Sequence, residues 1–261
     1  MMVYKESYHD NCKDYLKKSY IEKFSPKKYK QTLFNISKII PIIDICTDIS
    51  PNSYEKTIVC DQHAVIFTDN KDKYTILATY ALNACVGLIM YVKEEKIGSI
   101  AHMDGLPAYS KLDALDDGID IDYDPVDYNI LFMLNKIAIL SKNKSVLNID
   151  FYLIGGVFEL SEIMIYSILC SIGKFNHKII DNVLYNFNFV GRNLLGPINQ
   201  SRNICLDISN GKIFHFDFMD NSEYYGQKIP SNIIRGEKIN SGKLDMTYFP
   251  ANTLSDIISK K

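Results

Sequence analysis

Val86-Gly-Leu-Ile-Met-Tyr-Val92 and Ile97-Gly-Ser-Ile-Ala-His102 are two short apolar runs separated by four charged residues, Lys93-Glu-Glu-Lys96. Two such runs across a brief polar break predict a β-hairpin. The first run is apolar along both of the faces that a strand presents, which is typical of a central strand covered on both sides. We therefore expect layers of structure on each face of the sheet that contains it.

The hairpin brings Cys85 and His102 together. A turn centred on Lys93-Glu94 would put the two residues directly opposite each other, whereas a loop of all four charged residues would make them diagonal neighbours. Both registers keep the two side chains on one face, because strand side chains alternate with a period of two. Their Cβ atoms would lie about 5 Å apart, or roughly 7–8 Å on the diagonal. An imidazole can deprotonate such a thiol to a nucleophile; alternatively, Cys85 is a small buried hydrophobe and His102 a structural residue.

Composition excludes several classes of protein. A chain of 261 residues with 47% hydrophobic and 23% charged residues can bury a large core and is ordinary for a globular protein. A formal charge of −2 provides no broad basic field, so we do not expect a nucleic-acid partner. No apolar run approaches the ~20 residues that cross a bilayer, and the N-terminus lacks a signal-peptide core. Six scattered cysteines without a Cys-x-x-Cys pair favour a reducing compartment, and we expect the cytosol.

The remaining pattern alternates strands and helices. Helices are expected from Ser25-Pro26, from Asp124-Pro125 to about Ser141, and over Ser161–Ile172 with Gly173 closing the last. Strands are expected at Ala64–Thr68, Tyr74–Tyr80, Val146–Ile154 (ending in Gly155-Gly156), Lys178–Ile180, Val183–Phe189 and in a hairpin around Asn210-Gly211. This order predicts an α/β protein, a layered sandwich with a mixed β-sheet core and helices on the outside.

The stretch Thr79-Tyr-Ala-Leu-Asn-Ala-Cys85, followed by sixteen residues and His102, resembles the bacterial chemoreceptor glutamine deamidases of the CheD family. Those enzymes have a Thr six residues before the nucleophilic Cys and a His seventeen after it. The surrounding residues are more similar to the eukaryotic protein N-terminal asparagine amidohydrolases of the same superfamily. That family has His-x-Asp-Gly at the histidine, as in His102-Met-Asp-Gly105, and a strand ending in Gly-Gly, as in Tyr152-Leu-Ile-Gly-Gly156.

Farther on, Cys205–Phe214 and Phe218-Met-Asp220 resemble that family's late hairpin. The resemblance covers about residues 57–220 and implies a CheD-like Cys-His deamidase domain there. We expect residues 1–56 to be a helical N-terminal segment packed on this domain, and residues 221–261 to be a C-terminal extension. Asn83-Ala84 stands where the amidohydrolases have Thr-Thr.

The resemblance implies roles for three residues. Cys85 would attack a carboxamide carbon, and His102 would shuttle protons to and from the reacting groups. Thr79 would hold His102 in the productive tautomer through its hydroxyl or its carbonyl, unless it is only a β-former in a strand. Backbone N–H groups at Cys85 and just before it would meet the oxyanion.

Three further residues are candidates for binding substrate. Asp104 would point to the same face as His102 and could receive the α-ammonium of an N-terminal asparagine, or it could belong to an Asp-Gly turn. Gly155 and Gly156 could let the substrate or Cys85 approach the backbone closely, or could form a turn.

The sequence disfavours two possible metal sites, and we expect no cofactor. Cys60 and His63 are separated by two residues, a spacing that zinc ligands often have, but positions i and i+3 of a strand face opposite ways. The acidic stretch Asp113–Asp124 fits a solvated loop better than a calcium loop, because Leu115 occupies a ligand position.

The resemblance, with the hairpin that brings Cys85 and His102 together, implies a thiol-dependent protein amidohydrolase that converts a side-chain carboxamide to a carboxylate and releases ammonia. An N-terminal asparagine is the expected substrate. The alternatives are deamidation of an internal Gln or Asn on a specific partner protein, in the chain's own cell or after delivery into another, and a catalytically silent binding module of the same fold.

Overall fold

The computed structural model describes residues 26–43, 45, 56–60, 64–103, 125–142, 144–158, 161–196, 201–215 and 234–235. These residues form three helices, α1 (Pro26–Ile39), α2 (Pro125–Leu140) and α3 (Glu162–Phe175). The strands are β1 (Thr57–Cys60), β2 (Ala64–Thr68), β3 (Ile76–Leu82), β4 (Val86–Val92), β5 (Ile97–Met103), β6 (Val146–Val157), β7 (Lys178–Ile180), β8 (Val183–Gly196), β9 (Arg202–Asp207), β10 (Lys212–His215) and β11 (Ile234–Arg235).

The described strands form two sheets, and both are mixed. The first sheet has the order β2-β5-β4-β6-β8-β7, with β6 and β8 parallel and the other neighbours antiparallel. The second has the order β10-β9-β3-β1-β11, in which β1 runs parallel to both of its neighbours. The prediction of an α/β layered sandwich is confirmed, with a second sheet where a single mixed one was expected.

Strand β4 shows how the layers pack. Leu88, Met90 and Val92 point to one face, where they join a buried cluster with apolar residues of all three helices. Ile89 and Tyr91 point to the other face, where they pack against the second sheet. The expectation that β4 is covered on both sides is confirmed. The molecule therefore has three layers, helices on the first sheet and the second sheet beneath it.

The β4–β5 hairpin has the longer of the two predicted loops. Val92 pairs with Ile97, so all four charged residues lie in the loop. The shorter turn would have paired Tyr91 with Lys96 and drawn that ammonium group into the space between the sheets. Burial of an unpaired charge is costly, whereas Lys96 is exposed in the loop and adopts a left-handed conformation with φ +52°.

Two local predictions are wrong. Strand β6 does not end in a turn at Gly155-Gly156 but continues to Val157. Helix α3 does not end at Gly173, because Phe175 still packs into the helical core and the Asn176 N–H bonds to the Ile172 carbonyl. The hairpin at Asn210-Gly211 is confirmed as a loop of four residues between Asp207 and Lys212, with Gly211 at φ +72°.

The flanking segments contribute to the fold where they are described. Helix α1 packs through Leu33 against the helical core, and Arg192 of β8 donates hydrogen bonds to the carbonyls of Ser37 and Ile40. Strand β11, beyond residue 220, pairs with β1 at the edge of the second sheet. None of the helices in the described ranges is both long and apolar enough to cross a membrane.

Candidate active site

Cys85 and His102 lie on one face of the first sheet. Gly87 of β4 is directly opposite His102 of β5, and Cys85 immediately precedes β4, so the two residues are diagonal neighbours. The Cys85 side chain packs against the apolar cluster between the two sheets, and His102 contacts the second sheet on that same side. Diagonal Cβ atoms are roughly 7–8 Å apart, a gap that a thiol and an imidazole can close.

Thr79 of β3 connects His102 to the second sheet. Its hydroxyl donates a hydrogen bond to the Cys60 carbonyl at 3.0 Å, and its oxygen lies 2.9 Å from His102 Nδ1. Since the hydroxyl proton is committed to a carbonyl, the Thr79 oxygen accepts from an Nδ1–H group. This arrangement favours the tautomer in which Nε2 carries the lone pair.

Burial differs between the thiol and the imidazole. His102 is 3% exposed and Thr79 is fully buried, so solvent does not compete for their hydrogen bond. The Tyr80 ring packs edge-on to the imidazole, with the two ring centroids 6.5 Å apart. Cys85 is only half-buried. A partly exposed thiol near a histidine is compatible with a nucleophilic site.

The backbone before β4 is held by two groups from the β6–α3 connection. The Ser161 hydroxyl donates to the Ala84 carbonyl at 2.7 Å and accepts a hydrogen bond from the Val157 N–H at 2.9 Å. The Gly156 N–H donates to the Cys85 carbonyl at 2.9 Å. Because a peptide unit is trans, the Cys85 N–H points away from the Ser161 hydroxyl.

Gly155 and Gly156 allow this close approach of Cys85. Both adopt positive φ, +102° and +80°, which side chains disfavour. A Cβ atom at Gly155 would lie 2.4 Å from the Cys85 carbonyl oxygen, and one at Gly156 would lie 3.0 Å from the Ser161 Cβ. The two glycines therefore allow Cys85 to approach the backbone of β6 closely, and they do not form a turn that ends the strand.

The end of β3, next to the candidate site, is bent. Its pairing with β9 shifts between Thr79 and Leu82, and Ala81 has a φ of +54°. The Ala81 N–H is held by the Asn203 side-chain oxygen at 2.9 Å. This bend lets Thr79 point between the sheets while the chain turns towards Cys85.

Sequence reasoning missed Ser161 and Asn203. Ser161 occupies the position of a helix N-cap, a signal that predicts capping, but its side chain makes no capping bond and binds the Cys85 segment instead. Asn203 lies in a predicted strand where an amide side chain has no local signature. Their partners are distant along the chain, so spacing alone could not reveal them.

Several candidates lie outside the described residues: Asp104, Gly105, His63 and the acidic stretch Asp113–Asp124. The Cys60 thiol donates to the carbonyls of Ala64 and Ile100 at 3.1 and 3.4 Å. Within the described ranges, no three His, Cys, Asp or Glu side chains are grouped so that they could hold a metal ion.

The described cysteines differ in character. None of Cys60, Cys85, Cys170 and Cys205 forms a disulfide bond. Burial raises the pKa of the Cys205 thiol well above its ordinary value, which makes this thiol inert. Cys170, on α3, is half-buried like Cys85 and is a natural reference for the reactivity of Cys85.

The fold and site together define a three-layered α/β protein with a threonine, a histidine and a cysteine grouped between two sheets. No protein-family model matches the chain. The chain is 51% identical over 253 residues to uncharacterized protein R721 of Acanthamoeba polyphaga mimivirus. The aligned region covers 95% of this chain and 92% of the viral protein. The chain belongs to the same family as R721.

Proposed function

We propose that the chain is a thiol-dependent protein amidohydrolase that converts a side-chain carboxamide to a carboxylate. The observation that carries the proposal is the Thr79 hydroxyl, which accepts from His102 Nδ1 while it donates to a carbonyl. That pair of bonds favours the imidazole tautomer whose basic nitrogen is Nε2. The half-buried Cys85 on the same face supplies the thiol.

The reaction proceeds in two halves. His102 Nε2 takes the proton of Cys85, and the thiolate attacks the carboxamide carbon. The tetrahedral oxyanion is met by backbone N–H groups at Cys85 and just before it. His102 then gives its proton to the nitrogen, the C–N bond breaks and ammonia leaves. Water, deprotonated by His102, attacks the thioester, releases the carboxylate and restores the Cys85 thiol.

The proposed substrate is a protein or peptide with an N-terminal asparagine, and the proposed compartment is the cytosol. This choice rests on the resemblance of His102-Met-Asp-Gly105 and Tyr152–Gly156 to the asparagine amidohydrolases. In this proposal Asp104 receives the α-ammonium group of the substrate. Neither a cofactor nor a metal takes part in the reaction.

The first prediction concerns the nucleophile. Cys85→Ala and Cys85→Ser should abolish ammonia release from an Asn-initiated peptide, while the circular dichroism spectrum and melting temperature stay close to those of the wild type. Cys170→Ala is the matched control, because it removes the other half-buried thiol and should retain full activity. An active Cys85→Ala protein would end the proposed mechanism.

The choice of peptides tests the substrate in the same assay. Peptides with N-terminal Asn, N-terminal Gln, acetylated N-terminal Asn and internal amides are compared. The proposal expects ammonia only from the free N-terminal Asn. Equal activity on the acetylated peptide would replace it with the internal-amide function. No release from any peptide, together with equal alkylation rates at Cys85 and Cys170, would favour the silent binding module.

A further inference from the structure

Arg202, the first residue of β9, is a buried cation in the apolar space between the sheets. It is only 7% exposed, and it shares a strand face with Ile204 and Leu206, which belong to the apolar cluster between the two sheets. Its pairing partner across the sheet is Leu82, at the end of β3.

Arg202 has a neutral partner and no charged one among the described residues. Its Nε donates to the side-chain oxygen of Asn193 at 2.8 Å. The described ion pairs do not include Arg202. Within the described part of the chain, Nη1 is buried and has no hydrogen-bond partner. Burial lowers the pKa of the guanidinium. Buried cations are normally paired with an anion, because desolvation of an unpaired charge is expensive.

The register places Arg202 near the candidate active site. One row of paired residues crosses the first sheet from His102 through Gly87 and Ile154 to Asn193. Asn193 is therefore two strands away from the strand that Cys85 precedes, or about 10 Å. Leu82, opposite Arg202, is also close to Cys85, since a Cβ at Gly155 would lie 3.1 Å from the Leu82 Cβ and 2.4 Å from the Cys85 carbonyl oxygen.

We propose that Arg202 is the receptor for a carboxylate group of the substrate, bound between the sheets about 10 Å from the nucleophile's strand. Arginine suits this role because its planar guanidinium can form paired hydrogen bonds with a carboxylate. The Nε bond to Asn193 orients the group, and Nη1, which has no partner among the described residues, is left to donate to the ligand.

This inference rests on the proposed function and narrows its substrate. An extended peptide advances about 3.3 Å per residue, so the carboxylate lies two or three residues beyond the attacked asparagine. Two sources share this chemistry: an Asp or Glu side chain near the N-terminus of a protein, or the C-terminal carboxylate of a short peptide. The substrate is thus an Asn-initiated chain with a nearby negative charge.

The test measures binding in the absence of turnover. Full-length Cys85→Ala protein is titrated calorimetrically with two pairs of peptides. Asn-Ala-Glu-amide against Asn-Ala-Gln-amide isolates a side-chain carboxylate, and Asn-Ala-Ala against Asn-Ala-Ala-amide isolates the C-terminal one. We expect one pair to show a roughly ten- to a hundredfold preference for the charged peptide, as for a hydrogen bond to a charged group. Arg202→Gln, added to Cys85→Ala, should abolish that preference.

Lys212→Gln is the matched control, since it removes an exposed positive charge from the neighbouring strand β10 and should keep the preference. A preference of equal size with and without Arg202, or none in the Cys85→Ala protein, overturns the inference.

A second measurement does not require that peptides bind. Sodium succinate should raise the melting temperature of the wild type more than that of Arg202→Gln, against sodium chloride of equal ionic strength. Equal shifts would also overturn it.

The inference and the proposed function can fail separately. An Arg202-dependent carboxylate preference without ammonia release from any peptide would keep the anion site and remove the amidohydrolase. Ammonia release without an Arg202-dependent preference would keep the amidohydrolase and remove the anion site.

Discussion

At the scale of single residues, Thr79 is the position on which the candidate site depends most. Its hydroxyl bridges a backbone carbonyl and the His102 ring, and both bonds are buried. A threonine in a buried strand needs no such pair of bonds, so the geometry favours the orienting function over a plain β-former. The hydroxyl favours the tautomer in which Nδ1 carries the proton.

Thr79→Val should therefore lower kcat/KM for ammonia release by roughly ten- to a hundredfold, because a methyl group replaces the oxygen that orients His102. Thr79→Ser keeps the hydroxyl and should retain most of the activity. The two variants are compared by kinetics and by thermal melting. If Thr79→Ser loses as much as Thr79→Val, packing of the methyl group matters and the orienting role is wrong.

At the scale of elements, the junction of β6 and α3 positions the start of β4. Ser161 and Gly156 hold the carbonyls of Ala84 and Cys85, so the segment that carries the thiol is attached to an element more than seventy residues away in sequence. These bonds set the direction of the Cys85 backbone. Ser161 is thus a positioning residue in the proposed reaction.

Ser161→Ala should slow alkylation of Cys85 relative to Cys170 and lower kcat more than it changes KM, because the Ala84 carbonyl loses its donor. The variant should also lose about 1–3 kcal/mol of stability from the unmade bonds. Ser171→Ala is the control: this serine is equally buried on α3 but its hydroxyl donates to Asp127. Ser171→Ala should lose a comparable amount of stability and leave the alkylation rate of Cys85 unchanged. Equal effects on Cys85 in both variants would mean that Ser161 only stabilises the fold.

At the scale of the whole molecule, Tyr185 links the first sheet to the helical layer. It is 1% exposed, and its hydroxyl makes a long hydrogen bond of 3.5 Å to the Leu134 carbonyl of α2. Burial, with a smaller contribution from the charge of Asp181, raises the pKa of Tyr185 to about 12 from an ordinary 10.0. In the unfolded chain the phenol loses its proton first.

This difference predicts a loss of stability at alkaline pH. Between pH 10 and 12 the folded state holds a proton that the unfolded state has released, so Tyr185 costs the fold roughly 2–3 kcal/mol across that window. Tyr185→Phe should remove this part of the decline. Urea unfolding of both proteins at pH 8 to 11.5 measures it; parallel curves for the two proteins would contradict the prediction.

The local pattern of the sequence was sufficient for the β4–β5 hairpin and for the start of each described helix. Strand side chains alternate, proline opens α1 and α2, and Ser161 stands at the N-cap position of α3, so residues close in sequence decide these features. The same alternation placed Cys85 and His102 on one face in either register. It could not choose the register, because β4 is apolar on both faces.

The resemblance predicted Thr79 beside His102 and gave close approach to Cys85 as one function of Gly155 and Gly156, but only the tertiary structure shows the contacts that place them there. The second sheet brings Thr79 and Arg202 into the space between the layers, and the continuation of β6 through Gly155-Gly156 brings a backbone N–H to the Cys85 carbonyl. The contacts of Thr79 with His102, of Cys85 with Gly156 and of Leu82 with Arg202 join residues 23, 71 and 120 positions apart. No local spacing encodes them, because they exist only once the two sheets have packed and buried their shared apolar face.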